Sequence, residues 1–138
     1  MAYSRLIKGI LVALVLSFLS DYLWHTVLLA DFYNARFIAI NGVPMSTDFP
    51  PFIALFELIG AVVLTYFVLG AACKGTVGEG FFHGALLGLL VGTGINFVAH
   101  SLIPKWDLTM ALVDSGWAIV TTGIIGAAVA AVAGKKIA

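Results

Sequence analysis

Apolar residues run almost unbroken through four segments, at about residues 6–30, 51–73, 78–103 and 108–134, and the polar residues that interrupt them recur at helical spacing. Each segment is near or above the ~20 residues a helix needs to cross a bilayer. The pattern predicts an all-α integral membrane protein, a bundle of four transmembrane helices that uses residues 1–138 as one domain. Between the first two segments, residues 31–50 (DFYNARFIAINGVPMSTDFP) form an outer loop too rich in Phe, Ile and Tyr for a solvated linker. Asn41-Gly42 and Pro44 mark turns there rather than a long helix, so the loop is expected to lie on the membrane surface as a cap.

The interruptions are patterned. In the first segment Ser17, Ser20, Asp21, Trp24 and His25 follow the i, i+3, i+4, i+7, i+8 spacing of one helical stripe. The third carries Gly80, Gly84, Gly88 and Gly92 at four-residue intervals, a row that lets two helix backbones approach in lipid. It reads as a packing seam within the bundle, with Gly116, Gly123 and Gly126 of the last segment as a matching surface. No strand precedes these glycines, so a phosphate-binding reading fails.

Composition agrees: 62% of the 138 residues are hydrophobic and 10% charged, with a mean hydropathy of +1.10, against about 45–50% and about 25% in soluble domains. The basic start and apolar run of the N-terminus resemble a secretory signal, but no A-x-A-like site follows, which predicts an uncleaved first helix. Arg5, Lys8, Lys74, Lys135 and Lys136 fall on one side, and Arg36 and Lys105 on the other. This asymmetry predicts cytoplasmic termini, with residues 31–50 and the short IPKWD turn facing outward. Trp106 and Tyr33 suit an outer aromatic belt. The formal net charge is zero and there is no basic cluster, which argues against nucleic acid as a partner. The single Cys73 excludes an intrachain disulfide or multi-thiolate site.

Depth brings the ionisable residues together. At about 1.5 Å per residue, Asp21, His25, Glu57, Asn96, His100 and Asp114 all lie roughly 5–14 Å below the outer surface. A charge in the bilayer centre costs about 2.5–3.5 kcal/mol or more, so these side chains should face inward and find partners. Close carboxylates at low dielectric must share protons, pair with imidazolium or bind a cation. One reading is therefore a metal site for copper, zinc, iron or manganese, with all six residues as candidate ligands, since imidazole and carboxylate suit these ions. Two histidines on separate helices could also clamp a b-type haem, which no further feature supports. A second reading is a proton or ion pathway, whose inner half would have only Glu79 and His83 to offer. A third is a structural network that fixes helix register. Trp24 and Trp117 read as packing residues. Glu57 shares a face with Gly60 and Ala61, where another helix could come close.

No Ser or Cys nucleophile sits beside a base, and no groove is visible for an Asp21/Glu57 acid/base pair, so the reading is non-enzymatic. The stretches DYLWHTVLLADFYNARF and LVDSGWAIVTTGIIGA resemble small four-helix bacterial inner-membrane proteins of unknown function. That resemblance implies a bacterial origin, an inner-membrane location and four helices, and supplies no activity. The expectation is a small multi-pass inner-membrane protein whose outer-half cluster binds a cation or buried protons. The alternative is an accessory or assembly subunit of a larger membrane complex, or a self-associating chain, in which the cluster is structural.

Overall fold

The computed structural model describes residues 2–46, 51–70 and 75–133. Helix α1 (Ala2–Tyr22) continues through a π-helical turn, Leu23–Leu28, into α2 (Ala30–Asn41). Helices α3 (Pro51–Leu69), α4 (Val77–Leu102) and α5 (Leu108–Ala133) follow, and there is no strand among the described residues. Four helices are long and apolar enough to cross a membrane: Tyr3–Leu28, α3, α4 and α5. Cys73, Lys74, Lys135 and Lys136 lie outside the described residues.

Most of the expected surface loop is helical. No breaker occurs in ADFYNARFIAIN, and α2 runs through it until Gly42, whose φ of 79° closes the helix with a bond from its N–H to the Ile38 carbonyl. Asn41-Gly42 thus ends a helix rather than punctuating a loop. The other ends are also specified locally. Thr76 caps α4 by accepting from the Glu79 N–H at 3.2 Å and donating to the Glu79 carboxylate at 3.1 Å. Asp107 caps α5 by accepting from the Met110 N–H at 2.7 Å.

Helices α4 and α5 form the most closely packed pair. The reason is the glycine row. A Cβ on Gly80, Gly84, Gly88 or Gly92 would collide with the α5 backbone or a small side chain, at Gly126, Thr122, Ala118 and Ala118 respectively. Gly126 reciprocates against Gly80, whereas Gly123 makes room for the Phe81 ring and Gly116 faces open space. Helix α1 lies against α3 and α5, and comes closest at Gly9, where a Cβ would stand 2.7 Å from Thr65.

The apolar core sits away from α2, where Ala13, Ala61, Leu64, Val68, Ile125, Val129 and Ala130 are buried together. The interior is made mostly of small residues, while large ones such as Leu11, Val15, Tyr66, Leu90 and Leu102 point outward, as lipid contact requires. Helix α3 touches α4 and α5 only sparsely, and this opens a gap at the α2 end of the bundle.

Gly84→Val should destabilise the bundle by about 1–3 kcal/mol, because the backbone of Thr122 cannot yield as a side chain would. Gly94→Ala, whose Cβ meets nothing within 4 Å, should stay within about 0.5 kcal/mol of the parent. Thermal unfolding of both variants in lipid nanodiscs checks the contrast.

Candidate functional site

The gap at the α2 end is a half-enclosed cavity of about 240 Å³. All four spans contribute to its wall: Ser17, Asp21 and His25 from the first, Glu57 and Gly60 from α3, Gly88, Gly92 and Asn96 from α4, and Asp114, Trp117 and Thr121 from α5. Helical periodicity accounts for the set. Ser17, Asp21 and His25 fall at successive i+4 positions, and Asn96 is the next step of the row that begins at Gly80. The row that seats α4 on α5 therefore delivers Asn96 to the interface, 7% exposed.

Five of the six candidate ligands meet at this cavity. His100, the next step of the same row, lies past the packed part of α4, where it is exposed and its Nδ1 donates to the Trp106 carbonyl at 2.6 Å. Glu79 belongs to the α4 cap, and His83 donates from Nδ1 to the Glu79 carbonyl at 2.8 Å, between the rings of Phe67 and Phe82. Gly60 does not mark a close helix approach: a Cβ there would meet nothing within 4 Å, so it is a window in the cavity wall.

The polar groups divide into two sets. In the first, His25 Nδ1 donates to the Asp21 backbone carbonyl at 3.0 Å. A carbonyl can only accept, so this bond fixes the proton on Nδ1 and turns Nε2 toward Asp114 Oδ1, 3.7 Å away. Nε2 faces that carboxylate either as the N–H of an imidazolium or as a lone pair free for a ligand. The i, i+4 relation of Asp21 and His25 thus serves the backbone, not a side-chain pair. The π turn directs two adjacent residues at α5: His25 faces Asp114, while Trp24 stacks on Trp117 with ring centroids 4.1 Å apart and planes 3° from parallel. In the second set, Glu57, 7% exposed, lines the cavity together with Asp21 and Ser17.

One site residue went unread in the sequence. Tyr33, expected in an aromatic belt, is 1% exposed. Its hydroxyl donates to Asp114 and accepts from Trp24 Nε1 at 2.9 Å. Its ring packs 4.6 Å from that of His25. No amphipathic period in α2 marks it, and its burial comes from what it meets on α5 and the π turn. Burial, with the hydrogen bond to the Asp114 carboxylate, pushes the phenol above its ordinary value of 10.0. Arg36 strengthens the same docking through an ion pair with Asp107 at 2.9 Å.

Three polar atoms on residues lining the cavity have no partner among the described residues: Asn96 Oδ1, Thr121 Oγ1 and Trp117 Nε1. Asn96 spends only its amide N–H, donated to the Gly92 carbonyl at 3.0 Å. An unmet buried polar atom costs about 1–3 kcal/mol, so each of these is a demand the described residues leave open. No three His, Cys, Asp or Glu side chains among the described residues gather as a metal-binding group.

Tyr33→Phe should cost about 1–3 kcal/mol, since it strips Asp114 of a donor and Trp24 of its acceptor. The pH sign follows from the raised phenol. The folded chain holds that proton more tightly than the unfolded one, so its stabilisation is complete below the ordinary value of 10.0 and declines as pH rises through and beyond it. Unfolding measured across alkaline pH should show the parent losing stability there and Tyr33→Phe losing less.

No curated protein and no solved structure matches the chain. A family model does, over residues 6–132. With that match covering most of a four-span helical chain, the protein belongs to the membrane-protein family of unknown function described as "Predicted membrane protein (DUF2177)".

Proposed function

We propose that this membrane protein holds exchangeable protons or a cation inside its bundle, at the cavity walled by Asp21, His25, Glu57, Asn96 and Asp114. The observation that carries the reading is the Asp21/Glu57 pair. Two carboxyl groups lining one membrane-embedded cavity must share a proton, pair with an imidazolium or bind a cation. His25 faces Asp114 at 3.7 Å, and the Asp21 and Glu57 carboxyl groups line the same cavity, a set of groups that suits protons or a cation. The haem clamp loses one of its two histidines, since His100 is engaged with Trp106 away from the cavity.

The charge asymmetry of the sequence supports cytoplasmic termini, which would put the cavity in the outer half of the bilayer; a bacterial inner-membrane placement rests on the resemblance alone. The accessory-subunit reading drew partly on glycine-lined helices, and that support weakens because the row from Gly80 to Gly92 is spent against α5 within the chain.

Infrared difference spectra of the protein in nanodiscs, recorded across a pH jump, test the proposal. A carboxylic acid band that Glu57→Gln removes is expected. Its absence from the parent protein, with carboxylate bands that also do not move when a monovalent cation is added, would sink the reading. Stoichiometric metal in the purified protein, lost in an Asp21→Ala/His25→Ala double variant, would restore the transition-metal reading in its place.

A further inference from the structure

The cavity is polar at one place and apolar over the rest of its wall, where Leu64, Leu87, Val91, Ile95 and Ile125 line it. Some wall residues also form the outer surface of the bundle. Phe56 of α3 is 54% exposed and Ile95 of α4 is 51% exposed, yet both line the cavity. The wall therefore reaches the lipid-facing surface between α3 and α4, the sparsely packed pair, with the open Gly60 window beside it.

The polar side of the cavity has a definite chemistry. Asp114 already has Tyr33 as a donor and His25 beside it. Asp21 and Glu57 both line the cavity, and if they share one proton the two together keep one negative charge. Independently of the acids, Asn96 lines the cavity, is 7% exposed and carries a buried acceptor, Oδ1, with no hydrogen-bond partner among the described residues. Thr121, also 7% exposed, adds an unpartnered hydroxyl. Surplus negative charge and a bare acceptor both call for a donor that is also a cation. A primary ammonium has three N–H donors and one positive charge, and an apolar body would suit the rest of the wall.

We propose that the cavity binds a lipophilic ammonium, a protonated primary amine on an apolar tail, which enters from the bilayer between α3 and α4 and donates to the Asp21/Glu57 pair and to Asn96. This deepens, and rests on, the reading of the cavity as a proton or cation site.

The test uses the full chain in zwitterionic nanodiscs, with empty discs subtracted, and two probes of nearly equal shape: 4-phenylbutylamine at neutral pH and 4-phenylbutan-1-ol. The amine should bind saturably, one per chain, and the alcohol about tenfold more weakly or worse, since only the ammonium makes charge-assisted bonds. Glu57→Gln should weaken the amine about tenfold. Gly60→Leu, which fills the window where an added Cβ meets nothing within 4 Å, should abolish binding without touching a charge. Gly94→Leu, in equally open surroundings, should leave affinity unchanged. Equal affinity for amine and alcohol would overturn the proposal, as would amine affinity untouched by both Glu57→Gln and Gly60→Leu. The parent reading is separable: an infrared carboxyl band without saturable amine binding overturns this inference alone, while absence of both, with carboxylate bands that do not move when a monovalent cation is added, removes the two together.

Discussion

Inside a bilayer, lipid is as apolar as leucine, so burying large side chains gives helices little reason to associate, and close backbone contact must supply it. Here that contact is the seam between α4 and α5, made by Gly80, Gly84, Gly88 and Gly92 against Gly126, Thr122 and Ala118. The seam fixes the rotation and register of α4. Because the row advances by four residues, the same rotation that seats the glycines turns Asn96 inward, where it bonds the Gly92 carbonyl. The Ser115 hydroxyl reaches that carbonyl from α5, at 3.4 Å. Packing and the placement of a polar group are thus one geometric fact.

The tightness of this pair is not matched elsewhere. Helix α1 finds close contact with α3 and α5 near Gly9, in the half of the bundle where Ala13, Ala61 and Val129 are buried. Toward the α2 end the small residues on α3 give way to Phe56 and Glu57, and α3 stands off from α4. Glu57 is 7% exposed and lines the cavity, so the gap and the buried acid occur at the same level of α3. The dry half of the bundle holds the helices, and the polar half leaves them apart.

Much of this was legible. The four spans follow from hydropathy alone. Asp21, His25, Glu57, Asn96 and Asp114 could be brought to one level because helical rise is uniform and each lies on the inward stripe of its helix. What failed to show was whatever depended on tertiary contact. His100 shares the row and the depth, but the row outruns α5, and no count of residues says where packing stops. Tyr33 is invisible for a related reason: α2 has no clear amphipathic pattern, and its one buried residue is defined by what it meets on α5. The π turn is equally silent, since LWHTVL contains no Gly or Pro to mark a departure from the α-helix.

The π turn, Tyr33 and Asp114 form one device. Asp114 sits within the first two turns of α5, a membrane-embedded acid that would be costly if left alone. Widening the first span at Leu23–Leu28 brings Trp24 and His25 side by side onto α5, and the break at Leu29 folds α2 back so that Tyr33 lands on the same carboxylate. Asp114 thereby gains a hydroxyl donor from α2 and an imidazole from the first span, which also carries Asp21. All three acids line the cavity, but Asp114 already has two partners there, and those contacts hold the end of the bundle together.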